Sequence, residues 1–259
     1  MQTLPKSIGK EEAGGEPIPV VFQTFAKNKI NFRRGDLSMI AGVPGAGKST
    51  LALAIALRSQ VPTLYICADT NAYTMGMRLY SMITGKSQEQ AEWEIANNLE
   101  DARKVLGRTD HIFWAFDAAP TLNDIDMEIK AFVEVWGEAP ALIIIDNLMD
   151  VSTDTQDISS LKFLMQEFKY LAGSKNSAVV VLHHTKESSD GNPCQPMRAV
   201  QGMVNQLPAL ILTVATTPNN MMAVAPVKNR SGQHDKEGNL YHWLQFNGEY
   251  MFIADPEVR

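Results

Sequence analysis

Residues 41–50 read AGVPGAGKST, and the reading of this stretch decides what is expected of the rest of the chain. Gly42 to Ser49 fit the pattern G-x-x-x-x-G-K-[ST], a glycine-rich loop between a strand and a helix. Glycine lets consecutive backbone N–H groups turn inward without a Cβ clash, and the N-terminus of the following helix adds partial positive charge. The run Gly42, Val43, Pro44, Gly45, Ala46, Gly47, Lys48, Ser49 and Thr50 is therefore expected to hold the phosphates of ATP. Lys48 is placed to reach the β- and γ-phosphate oxygens, and the Ser49 hydroxyl to ligate Mg²⁺. The competing reading is a chance glycine turn ahead of a helix.

Working outward, apolar runs alternate with helical patterns on both sides of the loop. Leu37–Ala41 is the strand that feeds it, and Lys48–Gln60 a Leu/Ala-rich helix that leaves it. Thr63–Ala68 is a second buried strand. Helical patterns follow at Tyr73–Thr84 and Gln88–Leu106, the latter opened by a capping box of Ser87 and Gln90. His111–Phe116 reads as a strand, and Thr121 caps a helix that runs to about Trp136. Ala141–Asp146, ALIIID, is an unbroken apolar strand of the kind found in a parallel sheet covered on both faces. A helix over Ser159–Ala172 and a strand over Ala178–Leu182 come next. Leu210–Val214, Met222–Lys228, Tyr241–Phe246 and Tyr250–Ile253 are short strands between turn signals, expected as antiparallel additions at one edge of the sheet. Residues 1–20, rich in Gly, Pro and charge, are expected to form a flexible arm, and residues 21–259 a single α/β domain.

Composition sets limits on function. With 259 residues the chain can bury a substantial core, and a net charge of −6 offers no global field for nucleic acid. That leaves a local DNA-contacting groove open. The two cysteines, Cys67 and Cys194, lack metal-ligand spacing and read as buried thiols. No signal peptide or membrane-length apolar run is present, so a cytoplasmic protein without membrane contact is expected.

A phosphate loop needs a carboxylate on a neighbouring strand to hold the metal's water shell. Asp146, closing ALIIID, is in the Walker B arrangement. At this point the sequence resembles the RecA-fold ATPases of the DnaB-type replicative helicase group, including small phage and plasmid hexameric helicases. The resemblance spans residues 30–255. INFRRGDLSMIAGVPGAGKST is similar to the family's lead-in, and PTLYICADTNAYTMGMRLYSMITG to its second strand with a terminal catalytic carboxylate and an Arg-Leu helix. LIIIDNLMDV, VVVLHHTKE and VAPVKNRSGQHDKEG resemble the Walker B strand, the γ-phosphate sensor strand and the Lys-x-Arg hairpin. These five pieces stand in the family's order. The resemblance implies a RecA-like core: a mostly parallel twisted sheet flanked by helices, with antiparallel C-terminal strands. The family's N-terminal collar domain is not expected, since residues 1–20 are too few to form one.

Each residue carried over has its own chemistry and its own rival reading. Asp69 would orient or deprotonate the attacking water. The family usually has Glu here, one methylene longer, and the rival role for Asp69 is a helix cap. His184 would sense the γ-phosphate, or else simply end a strand. Adjacent side chains on a strand point to opposite faces, so His183 and His184 do not share a metal. Lys228 and Arg230, two residues apart on one face of an extended hairpin, would enter a neighbouring subunit's site as an arginine finger does, in a hexameric ring or filament. Their rival reading is a solvated basic edge.

The loops at 149–160 and 186–207 correspond to those that hold single-stranded DNA in the family. Here the first is acidic, with Asp150, Asp154 and Asp157, and the second carries only Lys186 and Arg198. Neither has the basic and aromatic interleaving of a stacking platform. The leading expectation is an oligomeric Mg·ATP-hydrolysing motor on DNA, of helicase or translocase type. Its rivals are a RecA-type recombinase filament and a slow ATP-dependent switch or loader that recruits partners. A nuclease is disfavoured because no acidic cluster lies outside the ATP site, and a kinase because no Arg-rich lid segment is present.

Overall fold

The strand leading into the glycine loop lies near the middle of the molecule. The computed structural model describes residues 15–153, 158–187 and 191–256. After a short helix α1 (Gln23–Lys27), strand β1 (Leu37–Gly42) enters the loop and helix α2 (Lys48–Ser59) leaves it. Next come β2 (Thr63–Cys67), α3 (Ala72–Thr84), α4 (Gln88–Asn97), α5 (Leu99–Leu106), β3 (Ile112–Phe116) and α6 (Leu122–Trp136). The chain continues through β4 (Leu142–Asp146), α7 (Ile158–Lys175), β5 (Ala178–His184), β6 (Leu210–Thr217), β7 (Met221–Asn229), β8 (His242–Asn247) and β9 (Phe252–Ala254). All nine strands form one sheet in the order β3-β2-β4-β5-β1-β6-β7-β8-β9.

Strands β3 to β6 in that order are mutually parallel, and β7, β8 and β9 add antiparallel. All six residues of β1 are buried, as a strand with sheet neighbours and helices on both sides must be. Alternate residues divide the core in two. Tyr65, Cys67 and Ile144 face α2 and α3, packing with Leu51, Leu53 and Met75. Leu64, Ile66, Ile143 and Ile145 face α6 and α7, packing with Ile129, Phe132 and Phe168.

Three expectations change. The first C-terminal strand, β6, is not an antiparallel addition but pairs in parallel with β1. A connection as long as residues 185–209 permits a parallel crossover where a short hairpin would not. The helix expected over 88–106 is two helices. They meet at Asn98, at φ −130° and ψ 50°, whose side chain donates to Glu94 at 2.7 Å. Finally, the described part of the expected arm, residues 15–20, is tied to the core. Gly15 N–H donates to Arg34 O at 2.7 Å, Ile18 N–H to Phe32 O at 2.9 Å, and Ile18 is buried. The one apolar anchor was masked by its Gly, Pro and Glu neighbours. Residues 1–14 lie outside the described residues.

Candidate functional site

The loop after β1 can take its shape only with glycine. Gly45 and Gly47 sit at φ +77° and +83°, and Gly47 is the N-cap of α2. A Cβ on Gly42 would stand 2.7 Å from Val214 O. The free N–H groups of the first turn of α2 thus meet the cleft. Lys48 is buried, and its Nζ donates to Gly42 O and Val43 O, both at 3.1 Å. Burial lowers its pKa, while the negative charges of Asp146 and Asp69 oppose the shift.

Asp146 closes β4 next to the loop. Its Oδ2 accepts from Tyr65 OH at 2.8 Å, and its carboxylate lines the same cleft as the Ser49 hydroxyl. Burial raises its pKa; the Ser49 and Tyr65 hydroxyls work against that. Burial, then the charge of Asp146, raises the Tyr65 pKa well above its ordinary value, so the phenol remains a donor. Asp69 follows the end of β2, where Ala68 N–H donates to Asp146 O at 2.7 Å. The cap of α3 is not Asp69 but Asn71, whose Oδ1 accepts from Thr74 N–H at 2.9 Å. Asp69 is left facing the cleft.

The two histidines part company, as alternation requires. His183 is fully buried, with Nε2 2.9 Å from Gln201 O; a carbonyl only accepts, so Nε2 carries the proton. Burial pushes its pKa down to about 4. His184 faces the cleft, its pKa lowered by burial and by Lys48. Asp150 differs from expectation. The turn Leu148–Asp150, capped by Asn147, brings it within electrostatic reach of Asp69 and His184, and burial raises its pKa. Its partners in the expected acidic loop, Asp154 and Asp157, lie outside the described residues.

Pro44, Gly45, Gly47, Lys48, Ser49, Thr50, Asp69, Asp146 and His184 line one open cleft of about 570 Å³. Gly42 and Val43 enter it through their carbonyls, while Ala46 is buried behind the loop. Sequence reasoning did not single out Arg78, Gln88, Asn147, Phe246, Gly248 and Met251, which complete the lining. Arg78 stood in the quoted Arg-Leu helix, the one available signal. Phe246 and Met251 arrive from the last strands, with no local pattern to mark them. Gln88 ties the two walls together: its N–H donates to Glu249 O at 2.8 Å and its Nε2 to Gly248 O at 2.9 Å.

Lys228 and Arg230 are not part of this cleft. Met222, near the loop, pairs with Thr216, whereas Asn229 pairs with Leu210, itself beside Ser38 at the start of β1. Seven residues of strand separate those ends, about 24 Å at 3.4 Å each. Nor are the two side chains equivalent. Lys228 Nζ donates to Asn205 O at 3.0 Å and Gln206 O at 2.7 Å, while Arg230 is exposed with no ion pair among the described residues. In the second loop, residues 188–190 lie outside the described residues, and Arg198 pairs with Glu237. Among the described residues, no group of three or more His, Cys, Asp or Glu could hold a metal, and no helix is long and apolar enough to cross a membrane.

A family model described as the DnaB-like helicase C terminal domain matches residues 18–197. The Gene 65 protein of Mycobacterium phage L5 is 34% identical over 267 residues, covering 98% of this chain and 99% of the relative. Among solved structures, one described as an ATPase domain has a TM-score of 0.79 at 16% identity, covering 93% of this chain and 91% of that one. A structure described as a DnaB-like replicative helicase and its interactions with primase has a TM-score of 0.80 at 14% identity, covering 98% of this chain and 65% of that one. At such identities the structural likenesses speak for the fold.

Proposed function

This chain belongs to the family of DnaB-like helicase C-terminal domains, and from that premise we propose that it is an oligomeric, Mg·ATP-hydrolysing motor that acts on DNA. That it is a helicase-type ATPase core follows from the family; the assembly, the metal and the DNA are our reading. The observation that carries it is the convergence of Lys48, Ser49, Asp69, Asp146 and His184 on one cleft from the ends of four adjacent strands.

In this reading the loop N–H groups and Lys48 hold the β- and γ-phosphates, with Lys48 exchanging its two loop carbonyls for phosphate oxygens. Arg78 supplies a second cation on the opposite wall. Phe246 and Met251 receive the nucleoside end, an apolar surface beside polar groups as small-molecule sites have. Ser49 and Asp146 offer oxygen ligands in the same cleft, which fits a hard divalent cation such as Mg²⁺. When bound, the metal neutralises phosphate charge. Asp69 orients and deprotonates the attacking water, and His184, two residues before the 186–207 loop, reports whether the γ-phosphate is present.

Arg230 lies at the far end of the sheet from its own cleft, which supports action on a neighbour's nucleotide, while Lys228 beside it holds the Asn205 and Gln206 carbonyls of its own chain. A head-to-tail contact of that kind builds a ring or an open filament. The loops at 149–160 and 186–207 are proposed to meet single-stranded DNA. One observation favours the slow-switch alternative: Arg198, one of two cations in the second loop, is already paired with Glu237. The deciding experiment is ATP turnover with and without single-stranded DNA, with particle mass measured on the same sample. Stimulation by DNA in a hexamer-sized particle is expected. Slow turnover indifferent to DNA, in a monomer, overturns the motor and leaves the switch.

A further inference from the structure

Strand β2 lies between β3 and β4 in the parallel sheet and reads Thr63-Leu-Tyr-Ile-Cys67, all buried. In its register with β4, Tyr65 stands opposite Ile144 and Cys67 opposite Asp146. Tyr65 and Asp146 are therefore diagonal neighbours on the face that packs against α2. Such positions are about 7–8 Å apart at the backbone, a gap that a long side chain spans. The phenol does so, ending 2.8 Å from Asp146 Oδ2. Its ring is wholly buried and packed against Trp114, with centroids 4.9 Å apart.

We propose that Tyr65 is a positioning residue for the metal-binding carboxylate: its buried hydroxyl pins Asp146 Oδ2 and so fixes the plane of the carboxylate that would hold the metal. The inference rests on the nucleotide-site reading above. Two hydroxyls flank the site of Asp146, Ser49 in the cleft and Tyr65 buried in the core, and the Tyr65 hydroxyl is the one that bonds Asp146 Oδ2. Ser49 lines the cleft and would be a ligand of the cation, whereas Tyr65 is wholly buried, lies outside the cleft lining, and would be free to keep its bond to Asp146 with the metal bound. Phenylalanine would fill the same space in this apolar strand, so packing alone does not call for the hydroxyl. Groups that hold a ligating carboxylate in this way typically contribute 10–100-fold to metal affinity.

The test is Tyr65→Phe in the full chain, with Mn²⁺ as the probe and a non-hydrolysable ATP analogue bound. Mn²⁺ affinity is read by electron paramagnetic resonance, nucleotide affinity is read separately in EDTA, and thermal melting is followed alongside. The expected result is Mn²⁺ binding weakened by about 10-fold or more, with metal-free nucleotide affinity unchanged. Equal Mn²⁺ affinity in the two proteins overturns the proposal and leaves the hydroxyl as a satisfied core group. Parallel loss of metal-free nucleotide binding also overturns it, because the effect then comes from the packing of β2. If the unsubstituted protein with nucleotide binds no Mn²⁺, the site reading itself falls, and this inference with it.

Discussion

Asp69 and His183 show how little of a side chain's role is visible from its neighbours in sequence. Asp69 stands just ahead of a helix, where a cap would be expected, yet Asn71 makes that bond and leaves the carboxylate in the cleft. Asp69→Asn should keep nucleotide affinity and lower turnover by about 10²-fold or more, the scale of a lost general base. Normal turnover would put the base elsewhere. Asp69→Glu tests the length of the side chain: a rise means that the aspartate is too short, a fall that the pocket has closed around it. His183 makes a prediction about pH. Its folded pKa of about 4 lies below the ordinary 6.5, so between those values the unfolded chain binds more protons than the folded one. Stability is therefore full above pH ~6.5 and is lost as pH falls toward 4, by at most roughly 3 kcal/mol for this group. His183→Gln keeps a donor for Gln201 O but cannot ionise. Urea unfolding across that range should show a shallower slope in the variant than in the parent, and identical slopes would mean that His183 is not buried neutral.

Among the elements, the segment between β5 and β6 is the one held from several sides. Thr185 bridges Val200, Lys186 N–H donates to Ala199 O at 2.8 Å, and His183 holds Gln201. From β7, Lys228 grips the carbonyls of Asn205 and Gln206. Thus β5 and β7 both hold this one loop. Lys228 is expected to act as a strap within its own subunit. Lys228→Met should speed amide hydrogen exchange across residues 199–207, and Arg230→Ala should not. Equal protection in the parent and both variants would return Lys228 to the finger pair. The break at Asn98 is smaller in consequence. It folds α5 back so that Ala102 joins Tyr80 and Ala91 in a satellite cluster beside the main core.

At the scale of the whole molecule the question is whether one copy completes another. Arg230 is exposed at the end of the sheet opposite its own cleft, so any contact with a γ-phosphate must come from a second subunit. Arg230→Ala and Lys48→Ala are each expected to be inactive. Mixed assemblies contain some interfaces that pair an intact phosphate loop with an intact arginine, and partial ATPase activity should reappear on mixing. Continued inactivity, in mixtures that mass measurement shows to be mixed oligomers, would sink the trans contact. Full activity of Arg230→Ala alone would make Arg230 an ordinary solvated end of a strand.

By itself the sequence determined the loop half of the proposed nucleotide site, because that geometry is local. A glycine at φ +83°, a lysine and a hydroxyl residue in sequence, and an acid closing an apolar strand need only a strand, a turn and a helix to become a phosphate site. Strand and helix positions were legible for the same reason, since periodicity and caps act over a few residues. What only the tertiary structure decided depends on pairing between distant segments. The parallel placement of β6, the arrival of Phe246 and Met251 at the cleft, and the bond from Tyr65 to Asp146 all follow from register. Register is set by which buried faces pack together, and that information is spread over the whole sheet.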